Sequence, residues 1–305
     1  MRVPPTAGIV VCSLLAVAAG AALTGCAPAA VPSDHGARIA VVASTSVYGD
    51  IARAIGGGAI TVTSLITDAA QDPHSFEASA QDQLAVAKAD VVIENGGGYD
   101  DFMTSLRSGS GGHPEVVNAV EVSAHGHGGD AFNEHVWYDF TAMGVVAEKL
   151  ADVFSALDPA HRQDFTAGEV AFAAGLAGLQ HDAAAVKQDH AGAGVAITEP
   201  VPLYLLEACG LENKTPAAFS RAIEEGSGVA PALMHATLQL FVDERVQLLV
   251  YNAQTSGPET EQLRAAAKTS DIPTLAVTET LPQGATYLSW MGENVTKIRS
   301  ALSHG

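Results

Sequence analysis

Basic residues are scarce in this sequence, with 15 lysines and arginines against 34 aspartates and glutamates. The net charge of −19 argues against a nucleic acid or an anionic lipid surface as the partner, because both require basic surface. An acidic excess is compatible with the capture of a cation. The apolar run at residues 8–23 is too short and too rich in alanine for a good membrane span.

The same apolar run follows Arg2, which is the pattern of a secretory leader that is removed from the mature protein. The run ends in Leu23-Thr24-Gly25-Cys26, which resembles the lipobox of bacterial lipoproteins. The resemblance implies a signal peptide at residues 1–25, a lipid on Cys26 and an extracytoplasmic protein that is anchored to the cell membrane. The alternative is an ordinary secretory cleavage site with an incidental cysteine.

Cysteine is also rare, with only Cys12, Cys26 and Cys209. Removal of the leader takes away Cys12, and lipidation uses Cys26. Cys209 is then alone in an oxidising compartment, so a disulfide framework is excluded. Stability must therefore come from an apolar core, which the hydrophobic fraction of 48% can supply.

Short β-branched runs bounded by turn residues alternate with helical stretches, which is typical of βαβ units. The part after the leader, about 280 residues long, exceeds the commonest size of one domain. We therefore predict an α/β fold of two doubly wound lobes with mostly parallel sheets. The predicted strands lie at residues 38–43, 60–66, 90–94 and 115–120 in the first lobe, and at 194–198, 246–251 and 274–278 in the second. The predicted helices of the second lobe lie at 202–208, 230–241, 259–268 and 286–302.

One long amphipathic helix is predicted between the lobes. Asp158-Pro159 has the form of an N-cap followed by proline at the first helical position. Apolar residues then recur at steps of three, four and seven as far as residue 186, and a helix over 158–190 would be about 48 Å long. Three glycines at 168, 175 and 178 weaken this helix. The predicted segments are a flexible tether at 26–36, an N-terminal lobe at 37–157, a rigid connecting helix at 158–190 and a C-terminal lobe at 191–305.

Polar residues that directly follow strands are the candidates for a binding site, because ligands of open parallel sheets bind beyond the carboxyl ends of the strands. His74 and His135 follow strands of the first lobe, whereas Glu199 and Glu279 end strands of the second. Imidazole suits zinc and manganese, and two carboxylates neutralise a divalent cation. The four side chains therefore predict a metal site in the crevice between the lobes.

The segments Asp72-Pro73-His74 and Glu134-His135-Val136-Trp137, with Glu199 and Glu279 downstream, resemble the ligand segments of the zinc- and manganese-binding solute receptors of bacterial metal ABC transporters. The resemblance covers about residues 38–302. It implies two α/β lobes joined by one long helix, His74, His135, Glu199 and Glu279 as metal ligands, and Zn²⁺ or Mn²⁺ as cargo. It also implies delivery to a permease and ATPase complex by a monomeric receptor that is not an enzyme.

Two positions depart from that family pattern. Glu279 occupies a place where relatives more often have aspartate, and Asn252 follows a strand after which relatives often have an acidic residue. Asn252 is uncharged and is not counted as a ligand. Tyr204 and Tyr287 are candidates to donate hydrogen bonds to the ligand carboxylates.

The segment at residues 124–130 precedes His135 and contains His125 and His127. Zinc-specific members of the resembled family often carry a longer loop here, rich in histidine and acid, that is thought to gather metal. The alternative is a glycine-rich surface loop whose histidines bind nothing, since chelation would have to order it.

The main rival function is a secreted metal-dependent hydrolase. The sequence contains neither a His-Glu-x-x-His segment nor a Gly-x-Ser-x-Gly elbow, and four protein ligands would leave no open position for catalysis. A metal-binding surface adhesin is a further alternative. The cargo stays open between two ions, because histidine with two carboxylates favours Mn²⁺ whereas the histidine-containing loop favours Zn²⁺.

Overall fold

The computed structural model describes Met1 and residues 38–68, 71, 73, 76–123, 132–255 and 257–303. The predicted ligand His74 lies outside the described residues. So do the predicted leader, the lipidation site Cys26, the tether and the histidines of residues 124–130. The fold described below belongs to the unit Arg38–Gly305.

The first half of the fold is built on a four-stranded sheet in which all neighbouring strands are parallel. Its strands are β1 (Ile39–Thr45), β2 (Ile60–Ile66), β3 (Val91–Glu94) and β4 (Glu115–Asn118), in the order β2-β1-β3-β4. The central strands β1 and β3 are almost wholly buried, as expected for a parallel sheet with both faces covered. All four predicted strands are confirmed.

The predicted strand at 115–120 is wrong at its last two residues. Asn118 ends β4, and its side-chain oxygen accepts a hydrogen bond from the backbone N–H of Glu121 at 3.1 Å. This cap starts a short helix at once, because it satisfies a backbone donor in the first helical turn. The helices of this half are α1 (Ser46–Gly56), α2 (Ala80–Ala87), α3 (Phe102–Ser110), α4 (Ala119–Val122) and α5 (Phe140–Leu157).

The predicted connecting helix is confirmed as α6 (Arg162–His190), which follows a single 3₁₀ turn at Pro159–His161. Its 29 residues span about 44 Å. It contacts α1 and α5 in the first half and the C-terminal helix in the second. All five apolar positions used for the prediction are buried, namely Phe165, Phe172, Leu176, Leu179 and Val186.

Two of the glycines that weakened this prediction are required by close packing. A Cβ atom at Gly168 would lie 2.5 Å from the backbone oxygen of Ile55 at the end of α1. A Cβ atom at Gly175 would lie 2.4 Å from Leu288 on the C-terminal helix. Glycine therefore costs helical propensity at these two positions, but its lack of a side chain permits α6 to pack closely against both neighbouring helices.

The second half contains another four-stranded parallel sheet. Its strands are β5 (Gly194–Ile197), β6 (Glu212–Asn213), β7 (Leu248–Asn252) and β8 (Thr274–Val277), in the order β6-β5-β7-β8. The three predicted strands are confirmed, with small shifts at their ends. Strand β6 was not predicted, because two residues at a sheet edge have no detectable periodicity.

Five helices surround this sheet: α7 (Leu203–Ala208), α8 (Ala217–Glu224), α9 (Pro231–Val242), α10 (Pro258–Thr269) and α11 (Tyr287–Ser303). Four of them were predicted, and α8 was not. Helix α11 returns to contact α6 and α1. One continuous apolar core includes residues of both sheets, such as Val41 and Val250. No helix in the described part of the chain is both long and apolar enough to cross a membrane.

Candidate metal centre

Two buried carboxylates lie at one end of the second sheet. Glu199 follows β5 and Glu279 follows β8, and the side chains are 2% and 1% exposed. Strand β7 lies between β5 and β8 in the sheet, and Asn252 is its last residue. The strand order thus brings Asn252 together with Glu199, 53 residues before it, and with Glu279, 27 residues after it.

The side-chain amide of Asn252 holds both carboxylates. Its Nδ2 atom donates one hydrogen bond to Oε2 of Glu199 at 2.6 Å and another to Oε1 of Glu279 at 2.7 Å. Its own oxygen accepts from the backbone N–H of Gln254 at 3.0 Å, which fixes the orientation of the amide. Thr255 donates its hydroxyl to the other oxygen of Glu199. Asn252 therefore positions the two acids, as expected for a residue that is not itself a ligand.

The imidazole of His135 is completely buried and has a defined tautomer. Its Nδ1 atom lies 2.7 Å from Oδ1 of Asn133. The amide nitrogen of Asn133 donates to the carbonyl of Pro200 at 3.2 Å, so its oxygen faces the ring and can only accept. The ring proton therefore belongs on Nδ1, and Nε2 carries the lone pair that a metal needs. Pro200 directly follows Glu199, so the hydrogen bond from Asn133 to Pro200 also connects the segment of His135 to the second sheet.

Two further carboxylates lie beside His135. The ligand atoms of Glu134, His135 and Glu224 all lie within 4.8 Å of one another, and Nε2 of His135 is 3.6 Å from Oε1 of Glu224. Glu134 belongs to the predicted segment, but it was not chosen as a ligand. Glu224 ends α8, a helix that the sequence did not reveal, so the sequence analysis missed it entirely.

Burial and the neighbouring acids raise the pKa values of Glu134 and Glu224. Burial, followed by the charge of Glu279, raises the pKa of Glu134 from 4.5 to about 8. Burial, followed by the charges of Glu134 and Glu199, raises the pKa of Glu224 to about 8 as well. Both acids are therefore largely protonated at neutral pH without a cation, and a bound cation would stabilise their ionised forms.

Aromatic residues shield the histidine from water. The ring of Trp137 packs edge-on against His135 at 5.0 Å, and Tyr99 packs against both rings. Trp137 and Tyr138 are buried, as expected for residues that exclude solvent from the centre. The hydroxyl of Tyr138 donates to the carbonyl of Thr278, the residue before Glu279, at 2.7 Å.

The prediction that Tyr204 and Tyr287 donate to ligand carboxylates is wrong. The hydroxyl of Tyr204 donates to the carbonyl of Asn133, and that of Tyr287 donates to the carbonyl of Trp137, both at 2.8 Å. The tyrosine beside a carboxylate is Tyr99, whose hydroxyl interacts with Glu279 and whose pKa is raised by burial and by that charge. Tyr204 and Tyr287 instead support the backbone on either side of His135.

Gln254 connects the two halves of the fold at the edge of the centre. Its side-chain nitrogen donates to the carbonyl of Gln71 at 2.9 Å, and its side-chain oxygen accepts from the backbone of Glu279. Gln71 lies three residues before His74. The role of His74 as a ligand stays a prediction, because that residue lies outside the described part of the chain.

We expect Asn252→Ala to lower the free energy of unfolding of the metal-free protein by about 2 kcal/mol, because two hydrogen bonds to buried carboxylates are lost. The loss should grow when Zn²⁺ is present, since carboxylates that are no longer positioned bind the cation less tightly. Urea unfolding with and without Zn²⁺ measures both values. Asn213→Ala is the control, because its side chain bonds to Thr215 on the edge of the sheet and its cost should not depend on metal. An equal loss for Asn252→Ala with and without metal would contradict the expectation.

Residues 41–301 match the family described as zinc-uptake complex component A, periplasmic (ZnuA). The chain belongs to this family. It is 27% identical over 235 residues to the manganese-binding lipoprotein MntA of Halalkalibacterium halodurans, covering 71% of this chain and 74% of that one. This family membership agrees with the resemblance seen in the sequence.

Two solved structures share the fold. A crystal structure of ZnuA aligns with a TM-score of 0.72 at 18% identity, covering 87% of this chain and 100% of that one. The solute-binding protein FpvC of P. aeruginosa in complex with Ni²⁺ aligns with a TM-score of 0.72 at 22% identity, covering 88% and 98%. At these identities the likeness shows the fold alone, which is the α/β architecture of two parallel sheets and one long helix of the ZnuA family.

Proposed function

We propose that this chain is the substrate-binding receptor of a metal ABC importer. It captures a divalent transition metal between the two sheets and delivers it to a permease and its ATPase. The observation that carries the proposal is the pairing of the buried Glu199 and Glu279 through Asn252, together with a buried His135 whose Nδ1 proton is held by Asn133. Membership of a family of metal-uptake components supports the same conclusion.

We propose His74, His135, Glu199 and Glu279 as the ligands of the captured ion. Two imidazoles and two carboxylates suit both Zn²⁺ and Mn²⁺, and the charges of the two acids balance that of a dication. The family is named for zinc, and a relative of this chain is named for manganese, so both ions have support as cargo.

A role as a receptor is better supported than a role as a hydrolase. The family is described as a component of an uptake complex, and a zinc ion held by four protein ligands would have no open position for a reactive water. A surface adhesin would need a second binding face, and nothing in the described residues favours one. We therefore propose a binding protein and not an enzyme.

Relatives of this chain are named lipoproteins, which supports an extracytoplasmic location at the cell membrane. We propose that the lipid is attached to Cys26 after removal of residues 1–25, and that residues 26–36 are the tether. The lobes at 37–157 and 191–305, joined by the helix at 158–190, act as one monomeric receptor. The contacts of α6 with helices of both halves support a stiff connection between them.

Substitutions of Glu279 test the proposed function in a strain that lacks the chromosomal gene. Glu279→Gln keeps the shape and removes the charge, so we expect metal affinity and metal uptake to fall by about tenfold or more. Glu279→Asp keeps the charge on a shorter side chain and should retain more of both. Affinity of the purified variants and cellular metal content measured by elemental analysis give the two results.

Glu261→Gln is the matched control, because it removes the same charge from the exposed face of α10. It should support uptake at the wild-type rate. If Glu279→Gln binds and transports metal as well as the wild type, Glu279 is not a ligand. If the wild-type gene itself fails to restore uptake, the proposed function is wrong.

A further inference from the structure

Glu224 brings another carboxylate to the centre from a helix that contains none of the four proposed ligands. It is the last residue of α8, and its Oε1 atom lies 3.6 Å from Nε2 of His135, the atom proposed to bind metal. Two donors that each lie about 2 to 2.5 Å from one ion must be within about 5 Å of each other. The ligand atoms of Glu134, His135 and Glu224 meet this condition, because they are all within 4.8 Å of one another.

Oε1 of Glu224 has no hydrogen-bond partner among the residues that the structure describes. The atom is also shielded from solvent. A buried carboxylate oxygen without a donor is costly, and native structures satisfy such atoms with a hydrogen bond, a water or an ion. A cation held by His135 would lie within reach of this oxygen and would satisfy it.

Glu224 also faces a route from solvent. Its side chain is 18% exposed, and it lines a surface cavity of about 520 Å³ together with Gln254, Thr255 and Glu259. Thr255 contacts Glu199, whereas Glu224 contacts His135, so the cavity reaches the centre beside two of the proposed ligands. A cation that enters through this cavity meets Glu224 next to His135.

We propose that Glu224 is a fifth protein ligand of the captured cation and biases the centre toward Mn²⁺ over Zn²⁺. This inference rests on the proposed function of the same site. Zn²⁺ is satisfied by four ligands in tetrahedral geometry, whereas Mn²⁺ prefers more ligands and more oxygen donors. A fifth ligand with a carboxylate oxygen therefore stabilises bound Mn²⁺ more than bound Zn²⁺.

The test compares Mn²⁺ and Zn²⁺ affinities of the purified wild type, Glu224→Gln and Glu225→Gln. Calorimetric titration gives the Mn²⁺ values, and competition with a chelator gives the Zn²⁺ values. We expect Glu224→Gln to weaken Mn²⁺ binding by about tenfold or more and Zn²⁺ binding by no more than about threefold. Glu225→Gln removes the same charge from the adjacent exposed residue and should leave both affinities unchanged.

Three results would overturn the inference while the wild type still binds metal. They are an unchanged Mn²⁺ affinity in Glu224→Gln, an equal loss for both ions, and an equal loss in Glu225→Gln. The melting temperature of each metal-free variant shows whether the fold is intact. A wild-type protein that binds neither ion would contradict the proposed function itself and remove this inference with it.

Discussion

His135→Ala is expected to abolish most of the stabilisation that metal gives to the wild-type protein. A ligand that binds only the folded state raises the free energy of unfolding by RT ln(1 + [L]/Kd), which is about 4 kcal/mol at a thousandfold excess over Kd. The ring of His135 is buried, and its Nδ1 proton is held by Asn133, which leaves the lone pair of the ring on Nε2. Alanine removes this donor from a position against which the rings of Trp137 and Tyr99 pack.

The measurement is the shift in melting temperature caused by Zn²⁺ and by Mn²⁺. Because alanine also leaves a cavity, each variant is compared with its own metal-free form. His181→Ala is the matched control, since this histidine is exposed on α6 and should keep the full shift. We expect His74→Ala to behave like His135→Ala. A variant lacking both histidines that still shows the wild-type shift would refute the proposed ligand set.

The metal-free protein is expected to lose stability as pH rises from about 5 to about 8. The pKa of Glu134 and that of Glu224 are each raised from 4.5 to about 8 in the folded state. Below pH 4.5 both residues are protonated whether the chain is folded or not, so their burial costs little. Above 4.5 they ionise more readily in the unfolded chain, and the folded state loses relative stability until the pH passes about 8.

The expected loss is several kcal/mol for the two residues together, because each unit of pKa shift corresponds to about 1.4 kcal/mol. Most of the charged groups around Glu134 and Glu224 are acids, and their negative charges raise the two pKa values further. The charged groups that act on Glu134 or Glu224 are Asp100, Asp101, Glu199, Glu225, Glu279 and Arg221, of which only the arginine opposes the shift. Bound metal should remove much of the pH dependence, because a cation stabilises the ionised carboxylates.

Chemical denaturation of chelator-treated protein at pH 5, 6, 7 and 8 tests this expectation. The variant with both Glu134→Gln and Glu224→Gln should give a flatter curve than the wild type, because amides do not titrate. A control with Glu261→Gln, which removes a charge from the exposed face of α10, should follow the wild type. Stability that is constant or increasing across this range would show that these carboxyls are not protonated in the folded protein.

The sequence by itself determined the architecture. Strands β1, β2 and β3 are rich in β-branched residues, and β5, β7 and β8 are short, mostly apolar runs, so their propensity acts locally. The apolar positions of α6, from Phe165 to Val186, repeat at the helical period, so one face had to be buried. His135, Glu199 and Glu279 were chosen as candidate ligands for a related reason. They follow strands, and a parallel sheet places such residues at one edge whatever its neighbours are.

Only the tertiary structure decided which other side chains lie next to His135, Glu199 and Glu279. Glu224 lies on α8, an eight-residue helix that begins after Pro216. Its proximity to His135 depends on how α8 packs, and no local pattern encodes a contact between residues 89 positions apart. The bridging role of Asn252 likewise depends on β7 lying between β5 and β8. Strand order and helix packing arise from non-local burial, which is why the sequence indicated the metal centre but not its full set of acids.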